Sequence, residues 1–322
     1  MDYKYQKIIL FILSIALAMG ILGVMLTPIW GDLLLAAGQM QYQFLIPAIG
    51  FCLLAWLTRG YRYQKILHSL LVPAGLIFST ACIFLSQTIN LVGPARLGDF
   101  VRVIPIYHEY QATVSQGLSS IVIERLFDII TIGLLGLVAI VFLADVPDWF
   151  LALIAIALIA SGLGVLFILT SKRFTSKNRY VHFVLNMLDE IRTASLSRSA
   201  LSMLLVTSTI IWLWDIMVCY FVALTFNAAI SFNVVLLAIV IGNLAKTIPI
   251  TPGGIGTYEL AMTAIFEFGK VPTAAATLVS VVDHLIKNVI TLIGGVVSIF
   301  YFGTWIIPRI TEVIRQKIFH KP

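Results

Sequence analysis

Two groups of ionisable residues interrupt long apolar stretches of the sequence. They are Glu124, Arg125 and Asp128 in the first half, and Asp283, His284 and Lys287 in the second. A charge at the centre of a bilayer costs roughly 2.5–3.5 kcal/mol on insertion scales, so such residues indicate a functional site by default. The spacings also allow Arg125 to pair with Asp128, and Asp283 with Lys287, on one helix face. Ion pairs that only lock helices together are therefore an equally open interpretation.

A break in the helical pattern precedes each group. The residues at the breaks are Pro94, Arg96, Gly98 and Asp99, then Lys246, Pro249, Pro252, Gly253, Gly254, Gly256 and Glu259. An interrupted helix leaves backbone N–H groups free at the start of the next segment, and these groups attract anions. Arginine suits bidentate phosphate recognition and lysine adds a point charge, so Arg96 and Lys246 favour a phosphate-bearing ligand. The alternative for the glycines is close helix packing.

The composition decides the class of protein. Of 322 residues, 60% are hydrophobic and 11% are charged, against about 25% charged in soluble domains. We predict an all-α, polytopic membrane bundle that forms one integral membrane domain over residues 1–322. The net charge of +6 sits mainly in short loops, where it orients the chain and meets lipid headgroups, so no nucleic-acid partner is expected. The sequence contains no nucleotide-binding, metal or hydrolase motif, and we expect no cofactor, no metal and no enzymatic activity.

Hydropathy and loop charges together predict the path through the membrane. The six predicted full spans are residues 8–26, 40–57, 118–143, 150–170, 200–226 and 272–302. Lys4 and Lys7 place the N-terminus of a plasma-membrane protein in the cytoplasm, and the cations from Arg309 to Lys321 place the C-terminus there. Arg59, Arg62 and Lys65 bring the chain back to the cytoplasmic side after the second span. The broken segments 69–117 and 232–269 must then return to the side that they left, as re-entrant hairpins or as paired crossings.

The two halves of the chain, residues 1–149 and 150–308, then each contain three spans and one hairpin. An odd number of spans turns the second half over, which makes an inverted repeat. Broken helices at matching places in two such halves point to a transport site. Residues 180–191 have an apolar face, which indicates either a helix on the membrane surface or one packed against the bundle.

The sequence resembles the transmembrane region of lysylphosphatidylglycerol synthases, also called the flippase-like domain family. The matching elements are Pro94-x-Arg96-x-Gly98-Asp99, Glu124-Arg125-x-x-Asp128 and Thr251-Pro-Gly-Gly-Ile-Gly-x-x-Glu259. The resemblance implies a domain that moves a lipid between leaflets, fused in some bacteria to a cytoplasmic aminoacyltransferase. Some stand-alone relatives are linked to polyprenyl-phosphate sugar carriers. Because the sequence up to Pro322 contains no soluble domain, we expect a stand-alone member without the aminoacyltransferase domain, and the resemblance gives no basis for predicting synthase activity.

The residues and the resemblance together predict a lipid translocase for an anionic phospholipid or a polyprenyl-phosphate-linked lipid. Arg96, Arg125 and Lys246 would hold the phosphate with the backbone around Gly98 and residues 253–256. The acids that would balance these cations are Glu124, Asp128, Glu259 and Asp283. Two alternatives stay open: an intramembrane enzyme that transfers a group onto a lipid carrier, and a non-catalytic partner of a separate lipid-modifying transferase. Asp215, a lone acid in an apolar stretch, would face the cavity, pair with a base on another helix, or couple transport to protons. The oligomeric state is left open.

Overall fold

The computed structural model describes residues 3–27, 30–93, 96–142, 148–174, 177–228, 230–248 and 250–319. All regular structure in these ranges is helical, so the prediction of an all-α fold is confirmed. The α-helices are α1 (Tyr3–Leu26), α2 (Trp30–Gly38), α3 (Leu45–Ser69), α4 (Leu76–Val92), α5 (Gly98–Val101), α6 (Val103–Tyr110), α7 (Val114–Val141), α8 (Asp148–Thr170), α9 (Arg179–Ser195), α10 (Arg198–Thr225), α11 (Phe232–Thr247), α12 (Thr257–Phe268), α13 (Thr273–Phe302) and α14 (Ile306–Phe319).

Four helices in the described part of the chain are long and apolar enough to cross a membrane. They are α3 with the turn before it, α8, α10 and α13. Helix α7 has 28 residues but carries Glu124, Arg125 and Asp128. Helices α4 and α11 are shorter, with 17 and 16 residues. The chain is a multi-pass membrane protein, in which four of the six predicted spans meet the length and apolarity of a full crossing.

The helices pack reciprocally around the two breaks. Helix α4, which leads into the first break, packs against α13, and α11, which leads into the second, packs against α7. Helices α3 and α10 lie along each other, and α12 packs between α11 and α13. Every residue of α11 from Val234 to Gly242 is buried. Each short apolar helix therefore contacts the long charged helix that follows the other break.

A local signal fixes the start of the helix that carries the first charged group. The Gln116 N–H donates to Thr113 Oγ1 at 3.1 Å, and the Thr113 N–H donates to Gln116 Oε1 at 2.8 Å. This capping box satisfies N–H groups that the first turn of α7 leaves without helical partners. It thereby fixes where on α7 the residues Glu124 to Asp128 fall.

The prediction that residue 57 ends a span, with a basic loop after it, is wrong. Helix α3 continues to Ser69, so Arg59, Arg62 and Lys65 lie on the helix. Arg62 is only 1% exposed, and Arg59 contacts Asp215 of α10 at 2.5 Å. Both arginines find carboxylates on neighbouring helices, and a paired charge can stay in the bundle where an unpaired one could not. None of the three cations used to orient this part of the chain is therefore a loop charge, and two of them are paired inside the bundle.

The predicted amphipathic segment 180–191 belongs to α9, which packs against the bundle. Leu188 and Ile191 are buried in a cluster with Ile66 and Phe127. Val181, nearer the start of the helix, is 44% exposed. Of the two interpretations of this segment, packing against the bundle therefore holds for its C-terminal half.

Candidate functional site

The two breaks lie in direct contact. The first break follows Val92, the last residue of α4, and the described chain resumes at Arg96. Two predicted break residues, Pro94 and Pro249, lie outside the described residues. Gly253 has left-handed backbone (φ 63°), and a Cβ atom there would lie 2.4 Å from Leu91 Cδ1. Both the backbone conformation and the close approach require glycine. The turn of the second break therefore rests on the end of the helix that leads into the first.

A cavity of about 180 Å³ opens between the breaks. Its walls come from α3, α4, α7, α10, α11, α12, α13 and the two breaks. The predicted site residues that line it are Arg96, Glu124, Arg125, Asp128, Lys246, Gly253, Gly254, His284 and Lys287, and Asp215 lines it as well. The fold thus brings residues from both halves of the sequence to one charged cavity inside a largely apolar bundle.

Arg125 is shared by three carboxylates on its side of the cavity. Its guanidinium lies 3.3 Å from Asp99, 3.5 Å from Glu124 and 3.5 Å from Asp128. The predicted pair with Asp128 is confirmed, and Asp99 of the first break joins it. The Arg125 side chain keeps 30% of its surface exposed. It is therefore held by several longer contacts rather than by one short one.

Two further arginines, which do not line the cavity, pair with Asp128 and Glu124. The sequence analysis missed both of them. Arg62 donates to Asp128 at 2.6 Å and to Ser208 at 2.7 Å. Arg102 donates to Glu124 at 2.7 Å, and both arginine side chains are essentially inaccessible. Arg62 was assigned to a loop. Arg102 lies three residues after Asp99, a spacing that would have placed it on the same face of a short helix.

The second charged group forms a network around Tyr258. Lys287 contacts Asp283 at 2.8 Å, which confirms the predicted i,i+4 pair. The Tyr258 hydroxyl donates to Asp283 at 2.8 Å. Lys287 also donates to the backbone oxygen of Asp215, whose carboxylate pairs with Arg59. Asp215 thus has a basic partner on another helix and also lines the cavity, which combines two of the three alternatives for it.

A chain of three polar side chains reaches from the second break into the cavity. His284 Nδ1 lies 2.7 Å from Glu259 Oε1, and His284 Nε2 lies 3.2 Å from Lys246 Nζ. An ammonium group can only donate, so Nε2 accepts from Lys246, and Nδ1 carries the hydrogen that goes to Glu259. Glu259 also accepts the Gly256 N–H at 2.7 Å, which fixes its carboxylate at the start of α12. The three residues form a defined Glu259–His284–Lys246 relay.

Arg96 and Lys246 differ from the other cations of the cavity. Neither has a carboxylate within 4.0 Å among the residues that the structure describes, whereas Arg59, Arg125 and Lys287 each have at least one. One of the two lies at each break, and both side chains are partly exposed. The uncompensated positive charge of the cavity is therefore at the breaks.

Five predicted site residues lie behind the cavity wall. They are Gly98, Asp99, Gly256, Glu259 and Asp283, and all are buried. A Cβ atom on Gly98 would lie 2.1 Å from the backbone oxygen of Ser86, so this glycine allows close helix packing. Gly256 packs in the same way on Ala18 of α1. Of the four predicted glycines, Gly253 and Gly254 present backbone to the cavity. Within the described ranges, no group of three His, Cys, Asp or Glu side chains could hold a metal ion.

The fold and the cavity define a multi-pass membrane protein with a charged site between two broken helices. The chain belongs to the family described as the lysylphosphatidylglycerol synthase TM region, which it matches over residues 11–295. The family resemblance noted in the sequence is thereby confirmed.

Three relatives illustrate the range of the family. Glycosyltransferase AglD of Haloferax volcanii is 30% identical over 303 residues, which cover 80% of this chain and 49% of that protein. A UPF0104 membrane protein of Methanocaldococcus jannaschii is 26% identical over 66% of this chain and 93% of its own length. A UPF0104 membrane protein of Methanothermobacter thermautotrophicus is 23% identical over 84% of this chain and 88% of its own length. The chain thus spans about half of the first relative and most of the other two.

The prediction that the chain has no enzymatic activity is contradicted by the first of these relatives. That protein is named a glycosyltransferase and is 30% identical over 80% of this chain. The prediction relied on the lack of known catalytic motifs, and a chemistry carried by residues from different helices leaves no such motif. The prediction is not retained.

Proposed function

We propose that the protein moves the headgroup of an anionic lipid through the cavity between the breaks, from one leaflet to the other. The observation that carries this proposal is the pair Arg96 and Lys246. Each lines the cavity and has no carboxylate partner in the described part of the chain. Unpaired cations are costly inside a membrane, and a bound phosphate would supply the missing negative charge.

The remainder of the cavity suits a polar headgroup with acyl or prenyl tails left in the lipid. Its uncharged polar lining includes the amides of Gln87, Asn90, Asn243 and Asn288. Trp212 lines it too, and its indole N–H has no acceptor among the described residues. These groups would hydrogen-bond the oxygens of a phospholipid or a polyprenyl-phosphate-linked lipid. Residues Arg96, Arg125 and Lys246 would hold the phosphate itself.

We propose that this site sits between two inverted halves, residues 1–149 and 150–308. In support, each half contains a short apolar helix, a break and a long helix with a charged group, and the short helices exchange partners. In this arrangement the broken segments are re-entrant hairpins that enter from opposite sides of a plasma membrane, with both termini in the cytoplasm. Rocking of one half against the other would then expose the cavity to each leaflet in turn.

Proteoliposomes test the translocation. A fluorescent phosphatidylglycerol analogue reports the leaflet distribution, because a quencher added outside reaches only the outer leaflet. We expect Arg96→Ala and Lys246→Ala each to lower the rate of lipid movement at least about tenfold. A tenfold change corresponds to about 1.4 kcal/mol, and one charge-assisted hydrogen bond contributes about that much or more. Arg96→Lys should retain part of the rate. Lys172→Ala, which removes an exposed cation far along the chain from both breaks, is the matched control. Unchanged rates in both cavity variants would remove the assigned role.

Transfer of a group onto a lipid carrier is the second candidate function. The name of the Haloferax relative favours it, as does the convergence of a lysine, a histidine and a glutamate on the cavity. Mass spectrometry of lipids incubated with the pure protein separates the candidates. A new covalent lipid species indicates transfer, and redistribution without one indicates translocation. Redistribution that needs a co-reconstituted lipid-modifying transferase would make that enzyme a partner.

A further inference from the structure

His284 is the titratable group in the middle of the Glu259–His284–Lys246 relay, and its imidazole is uncharged when Lys246 donates to it. Its Nε2 atom, 3.2 Å from Lys246 Nζ, holds a lone pair because Nδ1 carries the hydrogen directed to Glu259. The residue lines the cavity although its side chain is almost fully enclosed. Nε2 can therefore take up one proton without any change at Glu259.

The groups that face His284 come from several elements. They are Lys246 of α11, Tyr258 and Glu259 of α12, and Asp283 and Lys287 of α13 itself. Asp215 of α10, Cys52 and Arg59 of α3, and Arg96 of the first break line the same cavity. Cys219 of α10 lies near Asp283 and Lys287. Helix α4, which also packs on α13, brings no charged residue. The nearest partners are one ammonium group and one carboxylate, whose charges offset each other.

The charges in and around the cavity leave a small excess. The cations are Arg59, Arg62, Arg96, Arg102, Arg125, Lys246 and Lys287, and the carboxylates are Asp99, Glu124, Asp128, Asp215, Glu259 and Asp283. With His284 neutral, the described cluster carries one positive charge more than negative. One negative charge on a ligand neutralises it, whereas a second would stand uncompensated in an enclosed site.

We propose that His284 binds a proton together with any headgroup that carries two negative charges, such as a phosphate monoester or a diphosphate. A singly charged phosphodiester binds without this proton. The inference rests on the proposed function, since it concerns the same cavity and the same anionic headgroup. It adds that doubly charged lipids cross with a proton.

The proton step requires only a rearrangement at Lys246. A proton from the bulk solvent bonds to the lone pair of Nε2, which then becomes a donor, while Nδ1 continues to donate to Glu259. Lys246 loses its acceptor and turns from the imidazole to the headgroup. The phosphate thus gains two donors, the Nε2–H and the ammonium group, in exchange for one contact within the protein.

Isothermal titration calorimetry counts this proton when the same binding is measured in buffers of different ionisation enthalpy. The probes are dioctanoyl phosphatidic acid, a monoester, and dioctanoyl phosphatidylglycerol, a diester, added to the full chain in detergent at pH 8. A phosphate monoester is close to doubly charged there, because its second pKa is about 6. We expect uptake of about one proton with phosphatidic acid and about none with phosphatidylglycerol. Phosphatidic acid affinity should also fall about tenfold per pH unit above pH 8.

His284→Gln keeps a hydrogen-bonding side chain that cannot titrate, and it should abolish the uptake with phosphatidic acid. Uptake that persists in this variant would place the proton on Lys246 or on the lipid, and it would overturn the inference. Equal proton counts for the two lipids in the unmodified protein would overturn it without reference to any variant. If both lipids bind without proton uptake, this inference is refuted and the proposed function is not. If neither lipid binds, the proposed function is refuted as well.

Discussion

Replacing Arg62 by methionine tests whether this arginine is a buried structural partner or a loop cation. Arg62 is 1% exposed and donates to Asp128 at 2.6 Å and to Ser208 at 2.7 Å, with Glu124 3.8 Å away. Removing one partner of a buried ion pair typically costs about 3–5 kcal/mol, because the other charge stays buried. Methionine keeps most of the volume, and Arg125 still lies 3.5 Å from Asp128. We therefore expect a loss of about 3 kcal/mol, at the lower end of that range.

Unfolding of the protein in mixed micelles with rising mole fractions of sodium dodecyl sulfate, followed by tryptophan fluorescence, measures the free energy of unfolding. Lys65→Met is the matched control, because Lys65 is three residues further along the same helix and partly exposed over the Tyr61 ring. Its loss should stay below about 1 kcal/mol. The double variant Arg62→Met/Asp128→Asn should recover part of the stability lost in the single variant, since the orphaned charge is removed. If Arg62→Met behaves like Lys65→Met, the placement of Arg62 inside the bundle is refuted.

Two further substitutions probe the cavity wall. Gly254→Ala places a Cβ atom 2.7 Å from Lys246 Cγ at a backbone φ of 78°, so it should cost about 1–2 kcal/mol of stability and slow lipid movement by displacing Lys246. Gly162→Ala is its control, because a Cβ atom there meets nothing within 4 Å, and translocation in proteoliposomes should then match the unmodified protein. Trp212→Phe removes an indole N–H that has no described acceptor, and it should weaken phosphatidylglycerol binding about tenfold at unchanged stability. Full affinity in calorimetry would show that this N–H does not meet the headgroup.

Contacts within one helix were predictable from spacing, and contacts between helices were not. The pairs Arg125–Asp128 and Asp283–Lys287 follow from the three- and four-residue repeat of a helix surface. The bond between Glu259 and His284 joins residues on different helices, and no periodicity in the sequence encodes which faces of α12 and α13 meet. The same limit applies to Asp215 of α10, whose partner Arg59 lies on α3.

The error at Arg59 and Arg62 has a related cause. Cations close to the end of an apolar stretch usually mark a cytoplasmic loop, and the rule counts them without regard to the direction of their side chains. Here both continue the helical repeat of α3, three residues apart, and turn towards acids on α7 and α10. The breaks were recognisable because proline and glycine restrict the backbone locally, as the left-handed conformations of Gly253, Gly254 and Gly256 illustrate.

The distances in the ion pairs separate arginines that fix the acids in place from an arginine that is free to contact a ligand. Arg62 and Arg102 hold Asp128 and Glu124 at 2.6 and 2.7 Å and are almost inaccessible, so they are fixed. Arg125 touches the same two acids at 3.5 Å and keeps 30% of its side chain exposed. If Arg125 turned towards a headgroup, Glu124 and Asp128 would each keep a short contact to a fixed arginine, and Asp99 would keep its hydrogen bonds from Ser86 and Asn90. We infer that the buried arginines make Arg125 available as a third phosphate ligand, beside the two cations at the breaks.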